Sequence, residues 1–486
     1  MLKSAHPLRR FDPVHIGYLL IAAIAALRLL VLWASDADLF FDESQYWLWG
    51  QNFDFGYYSK PPLIGWVIRA VTDLAGSDSA FWVRAAAPLF HAAAALLLMA
   101  VARRMWRAEV GLTVALTYLS LPMIAVGSVL ISTDTILLPF WCAALLLWLR
   151  QMEVPRLRDA ALMGLCLGLG MMAKYAAAYF LIGAGLALVA LPHTRLPWRN
   201  GAVALVVSMA VIAPNVIWNM AHDFATLSHT ADNVDWVRQD HGPALNFGKL
   251  AEFLASQAMV MGPLLFGGFL WAAYHGLRFG PAAARWLLCM SLPVLLLVCV
   301  QALLSKAYAN WAAMTYPAAV LLVVPFLLLR ARRLLWAAIG VNLCLSLAIA
   351  LGAAQVTHWM RGDQLLLKRY TGRAEMVQSA AAIARAEGLE AIISDNRHVL
   401  ADVFYYGRDL GLALYAVPHR GAQPHYYAEQ FALPAEGAPA ELLYLGQGAP
   451  CADAQLLGAL DTAPGAYAGR GLGAYRAPAS CWEGRP

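Results

Sequence analysis

Charge is what this chain has least of. Asp, Glu, Lys and Arg make up 13% of its 486 residues, hydrophobic residues make up 61%, and the mean hydropathy is +0.58. A soluble core of this size would carry more charge, so the composition is that of a polytopic membrane protein. The formal net charge of +5 does not point to nucleic acid, because the basic residues fall in short clusters between apolar spans rather than along one face. No convincing internal repeat is present, which weighs against a transporter built from repeated, broken helices. No small-residue cleavage site follows the first apolar span, Val14–Ala34, and that span is too long for a signal-peptide core; it reads as a retained anchor and first helix.

Apolar spans long enough for membrane helices run Val14–Ala34, Phe81–Val101, Val110–Ile131, Thr135–Leu149, Ala160–Ala173, Tyr175–Leu191, Gly201–Trp218, Leu250–Tyr274, Pro281–Leu304, Trp311–Leu329 and Leu334–Val356. The expected fold is therefore a membrane all-α body of about eleven helices. Three spans (Thr135–Leu149, Ala160–Ala173 and Tyr175–Leu191) fall short of the roughly 20 residues a perpendicular crossing needs, which suggests re-entrant or broken helices for the last two. Arginines mark alternate loops: Arg9 and Arg10 with Lys3; Arg103, Arg104, Arg107; Arg150, Arg156, Arg158; Arg195, Arg199; Arg278, Arg285; Arg330, Arg332, Arg333. By the positive-inside rule these loops are cytoplasmic, and the N-terminus with them.

The opposite set of loops carries the chemistry. Asp42 and Glu43 are adjacent acids just after the first span, and carboxylates next to lipid are costly enough to mark a functional site. Lys60 follows in the same loop, before Pro61-Pro62, a pair suited to a helix start. Asp134, Lys174 and Lys306 come from three further segments, and an orientation derived from arginines alone puts all six charges at one water interface. Within the first outer loop, Leu63, Trp66, Val67, Ala70, Val71 and Leu74 fall at helical spacing opposite Arg69, Thr72 and Asp73, so Pro62–Ala75 is expected as an amphipathic interfacial helix, with a shorter one at Ser44–Gly50.

Residues 1–356 thus form the membrane domain. Residues 357–486 change composition and read as a small extracytoplasmic α/β domain: a helix Ala374–Glu387 ended by Gly388, and short strands at Ala391–Ile393, Leu412–Val417 and Leu442–Leu445. Of seven cysteines, five lie in spans; Cys451 and Cys481 lie in this tail, where sequence alone leaves their pairing open.

At these residues the chain resembles the GT-C glycosyltransferases of the protein-mannosyltransferase superfamily, which includes the lipid A aminoarabinose transferases and the lipopolysaccharide galacturonosyltransferases. The resemblance rests on Asp42-Glu43 followed by Tyr46, on Lys60-Pro61-Pro62-Leu63, on Ser132-Thr133-Asp134 and on Gly168-Leu169-Gly170-Met171-Met172-Ala173-Lys174-Tyr175. Ser305-Lys306-Ala307-Tyr308-Ala309-Asn310-Trp311 also looks like a loop of this superfamily, and Asp395-Asn396-Arg397 looks like the start of its bacterial tail domain. It implies a sugar donor on a polyprenyl phosphate and an acceptor in lipid A, lipopolysaccharide or another envelope glycan, at the outer face of the inner membrane. Asp42 is then the general base, Glu43 orients it or binds metal or acceptor, and a single displacement inverts the anomeric centre. Lys60 and Lys174 suit the donor phosphate, with Lys306 a further candidate, and Asp134 could position a lysine, touch the acceptor or hold a cation. Tyr46, Tyr58 and Trp66 are the substrate-contact candidates. The only cofactor in view is a divalent cation, Mg or Mn, on Asp42, Glu43 and Asp134.

Other readings remain beside this one. A protein O-mannosyltransferase would share these motifs, and a lipid-linked-sugar flippase is the non-enzyme alternative. A nucleotide sugar is not expected as donor: Gly164, Gly168 and Gly170 lie inside an apolar span, where small residues serve helix packing. His222, His229 and His241, with Asp223, Asp232 and Asp235, fit no standard metal spacing and read as a solvated loop, and His91 as a hydrogen-bonded core histidine.

Overall fold

The computed structural model describes residues 12–228, 245–421, 423–460 and 464–482. The chain forms two compact units, one from Met1–Leu30 and Ala85–Ala350, the other from Val31–Arg84 and Leu351–Pro486.

The first unit is helical, and every apolar span read from the sequence is a helix or a helix pair. Among the described residues seven helices are long and apolar enough to cross a membrane, or nine if two bent pairs each count as one span. Both bends have local causes. Ala108–Ser120 and Pro122–Val129 meet at 61°, where Pro122 removes a backbone donor. Phe247–Met261 and Pro263–Phe279 meet at 107° across Gly262, at φ +90°, and Pro263. The span expected to be short at Thr135–Leu149 is a 21-residue helix, Thr133–Glu153. Polar residues at both ends, which hydropathy leaves out, continue its backbone ladder. Leu157–Ala173 is one continuous helix of 17 residues, and the next span divides into a 3-10 turn, Tyr175–Ala178, and a helix, Tyr179–Ala190.

The glycines at 164 and 168 serve packing. A Cβ on Gly164 would meet the Ala204 carbonyl oxygen at 2.3 Å, and one on Gly168 would meet Val211 at 2.5 Å. Two small residues four apart thus let Leu157–Ala173 lie close against Trp198–Ala221.

The second unit joins the first outer loop to the tail. In the loop, Phe41–Gln51 and Leu63–Ala75 are helices packed together. The second ends at Gly76 in the left-handed region, φ +61°. Its packed face is Ile64, Gly65, Ile68 and Thr72, whereas Leu74, expected on the apolar stripe, is 90% exposed. The apolar arc is wide: the edge carrying the two isoleucines meets the protein, and Leu74 lies on the part left for the membrane interface.

The tail holds seven strands, β1 (Met360–Arg361), β2 (Gln364–Leu365), β3 (Ala391–Ser394), β4 (Ala413–Ala416), β5 (Glu441–Gly446), β6 (Gln455–Ala459) and β7 (Gly473–Pro478). The first two form a small antiparallel pair; the rest form one sheet in the order β4-β3-β5-β7-β6. β3 runs parallel to β4 and β5, and β7 runs antiparallel to β5 and β6. Helices Arg373–Ala386 and Arg397–Tyr406 bury Met376, Val377, Ala380, Val399 and Val403 against the sheet. Cys451 and Cys481 are bonded, with Cα atoms 5.5 Å apart.

Candidate active site

The adjacent acids Asp42 and Glu43 open the helix Phe41–Gln51 and have opposite environments. Glu43 is 2% exposed and so is its partner Arg84. The Arg84 guanidinium donates to both Glu43 oxygens at 2.9 and 2.7 Å, and also to the backbone carbonyls of Ala37 and Asp38 at 3.0 and 2.7 Å. Glu43 Oε2 further accepts from the Phe40 amide at 3.0 Å. A forked cation thus ties the approach segment 37–40 to the first turn of the helix, the geometry for which Arg rather than Lys is suited.

Asp42 is turned outward, with its side chain 37% exposed. Its Oδ1 accepts from Arg397 Nη2 at 2.5 Å, while Arg397 Nε donates to Gln45 Oε1 at 2.8 Å. The Arg397 guanidinium lies 5.0 Å from the centre of the Phe41 ring, and that ring packs tilted by 30° against His398, centres 3.9 Å apart. Among the described residues Asp42 Oδ2 has no hydrogen-bond partner, so one carboxylate oxygen is fixed and the other is open.

A buried network holds the segment in front of Asp42. The Asp38 carboxylate accepts from the Arg373 amide at 2.8 Å, and Leu39 N donates to Tyr406 Oη at 2.7 Å. Arg373 Nη1 and Tyr467 Oη both donate to Asp402 Oδ2, at 2.7 and 2.5 Å. Burial pushes the Asp402 carboxyl up to about 6, against the opposing pull of Arg373 and of the Tyr467 hydrogen bond. Burial, followed by the charges of Arg397, Arg373 and Arg470, pushes His398 down to about 4, so its ring is neutral at pH 7.

Lys60 is half-buried in the turn before Pro61, its carbonyl accepting from the Tyr57 amide at 3.2 Å. Tyr46 is buried beside Trp49, ring centres 5.2 Å apart. Tyr58 Oη donates to the Gln423 carbonyl at 2.8 Å and Trp66 Nε1 to the Asp54 carbonyl at 3.0 Å. Trp66 also stacks on Phe53 at 4.9 Å.

The first unit has its own ion pair. Asp134 lies in the first turn of Thr133–Glu153, where Ser132 is the cap, its Oγ accepting from Thr135 N at 3.3 Å. That leaves the Asp134 carboxylate free of capping duty. Lys174 Nζ donates to both its oxygens at 2.8 Å, and Asn310 Nδ2 to Oδ2 at 2.8 Å. Lys174 stands at the break after Leu157–Ala173, and the following Tyr175 is pinned by Asn215 at 2.7 Å and Asn219 at 3.2 Å. Lys306, in the Asn310 loop, is exposed.

Arg84, Arg397 and Asn310 are the partners that sequence reasoning did not assign. Arg84 had a signal: it stands inside the apolar stretch that begins at Phe81, where an arginine requires a partner. His91 is buried with Nδ1 3.3 Å from Tyr118 Oη. His222 stacks on Trp218 at 4.0 Å; His229, His241, Asp232 and Asp235 lie outside the described residues. The acids proposed for a divalent cation do not fit one: Glu43 is engaged by Arg84, Asp42 by Arg397 and Asp134 by Lys174. Among the described residues no three His, Cys, Asp or Glu side chains gather as a ligand set.

A multi-pass helical body, an α/β tail and an outward carboxylate with one free oxygen describe a membrane glycosyltransferase. Over 472 residues the chain is 39% identical to the lipid A galacturonosyltransferase RgtD of Rhizobium johnstonii, covering 96% of this chain and 98% of that one. The chain belongs to the GT-C glycosyltransferase superfamily, in the family of that lipid A galacturonosyltransferase. The family model for dolichyl-phosphate-mannose-protein mannosyltransferase matches residues 59–218, which include Lys60, Asp134 and Lys174. Two structures of ArnT from Cupriavidus metallidurans have this fold. The apo state gives a TM-score of 0.62 at 13% identity, the undecaprenyl phosphate complex 0.63 at 15%, each covering 96% of this chain and 99% of ArnT.

Proposed function

We propose that this protein moves a galacturonosyl residue from a polyprenyl-phosphate carrier to lipid A. The observation that carries this reading is the end-to-end identity with RgtD, which exceeds what a shared fold alone would give. The ArnT complex with undecaprenyl phosphate supports a lipid-phosphate carrier. The arginine-bearing loops support a cytoplasmic N-terminus, with the tail 357–486 and the site at the outer face of the inner membrane.

In this reading Asp42 Oδ2 accepts the proton of the attacking lipid A hydroxyl. The hydroxyl oxygen forms its bond to the anomeric carbon as the bond from that carbon to the phosphate oxygen breaks, its electron pair leaving with the phosphate. One displacement inverts the centre. The leaving group departs as an anion and calls for positive charge rather than an acid. Lys174, oriented by Asp134 and Asn310, is proposed for that role, as is Lys60. Glu43 acts through Arg84 as a positioning residue.

The test is mass spectrometry of lipid A from wild-type cells, from a deletion strain, and from a deletion strain expressing Asp42→Asn. The reading expects one uronosyl residue to be lost in both mutant strains. A product on peptide serine or threonine would instead favour protein mannosyl transfer. Unchanged lipid A with a shift of carrier-linked sugar across the membrane would favour a flippase.

A further inference from the structure

Resting on that reading, we infer that Arg397 is a specificity residue that binds a substrate oxyanion beside Asp42, namely the carboxylate of the uronosyl sugar or a phosphate of the acceptor.

A guanidinium has five N–H donors. Arg397 uses Nε on Gln45 and Nη2 on Asp42, and among the described residues it makes no other hydrogen bond. It is not a hidden structural arginine like Arg84: its side chain is 34% exposed, against 2% for Arg84. The remaining donors lie in one fixed plane on a partly exposed side chain, held by Gln45 on one edge and by the Phe41 ring at 5.0 Å. A planar fork with free donors is the shape that matches a carboxylate or phosphate.

Charge gives the second reason. A general base that must stay ionised repels an anionic substrate brought to its side, and only a cation between the two allows both. Arg397 is the cation bound to Asp42 itself, its Nη2 donating to Oδ1. Further positive charge stands nearby in Arg369, 4.9 Å from the Phe40 ring, and in Arg470, whose field reaches His398.

The experiment uses the full-length purified protein with two carriers, polyprenyl-phosphate galacturonate and polyprenyl-phosphate galactose, and two acceptors, lipid A with and without its phosphates. Arg397→Gln is expected to lower kcat/KM for the uronosyl carrier about ten- to a hundredfold, the weight of one hydrogen-bonded charge, with the galactosyl carrier much less affected. Arg397→Lys, which keeps charge but not the fork, should fall between. A loss confined to the phosphorylated acceptor and equal for both carriers would assign the oxyanion to lipid A, and still supports the inference. An equal loss on every carrier and acceptor would reduce Arg397 to a support for Asp42 and overturn it, leaving sugar transfer intact. A wild type that transfers from neither carrier would defeat the transfer reading, and the inference with it.

Discussion

Glu43 is buried against Arg84, with both of its oxygens held by one guanidinium, although its neighbour Asp42 is turned outward. Two consecutive acids of the same helix turn therefore have opposite settings, one a buried ion pair and the other a partly exposed carboxylate. Removing Arg84 leaves a buried carboxylate without its cation, which costs about 3–5 kcal/mol in comparable buried pairs. Arg84→Met should accordingly lower the unfolding temperature of the detergent-solubilised protein, and Glu43→Leu with Arg84→Met should recover much of that loss. A double variant no more stable than Arg84→Met would argue against a simple ion-pair anchor.

The Asp134–Lys174 pair should behave as one unit. Each of Asp134→Asn and Lys174→Gln is expected to lower kcat by about 10²- to 10³-fold, the usual scale for loss of one charge-stabilising group. Because each residue acts through the other, the double variant should be little worse than the weaker single one. Losses that multiply in a double-mutant cycle would show two independent roles.

Asp402 gives the protein a pH signature. Its folded pKa of about 6 lies above the ordinary 3.8, so the group favours folding when protonated. That contribution is complete below about pH 4 and fades as pH rises through 6. Relative to Asp402→Asn, the wild type should gain about 1 kcal/mol of stability between pH 7 and pH 5. Parallel stability profiles for the two proteins would mean that Arg373 and Tyr467 hold Asp402 ionised throughout.

The Cys451–Cys481 bond closes a 30-residue separation within the tail, a constraint of about 2–4 kcal/mol by loop-closure entropy. Reduction, or a paired change of both cysteines to serine, should make the tail more susceptible to limited proteolysis while leaving the membrane helices protected. Identical digestion patterns would show that the sheet alone supports this region.

Much of the architecture was legible because membrane helices announce themselves by hydropathy; each expected span is a helix or helix pair, but among the described residues only seven to nine, not eleven, are long and apolar enough to cross. The 107° bend was not read, although Gly262-Pro263 stood in the sequence, since a hydropathy window averages across such a break. In the tail, β3, β4 and β5 are short and largely apolar, and were found. β6 and β7 were missed: β6 has a mostly exposed pattern without alternation and β7 follows a glycine-rich turn, so neither shows the period-2 signal. At the site, residue types were visible but pairings were not. Asp42 and Glu43 look alike until Arg84, 41 residues on, and Arg397, 355 residues on, distinguish them. Lys174 was recognised by its motif, whereas Asn310, which completes its anchor on Asp134, carries no charge to draw attention.

The most direct measurement reconstitutes purified protein with radiolabelled polyprenyl-phosphate galacturonate and lipid A, comparing wild type with Asp42→Asn at equal folded concentration. Label should pass to lipid A with the wild type and fall by about 10²- to 10⁴-fold with Asp42→Asn, the range for loss of a general base. Transfer at an undiminished rate by Asp42→Asn would remove Asp42 as the base. No label on lipid A with the wild type would contradict the assigned reaction itself.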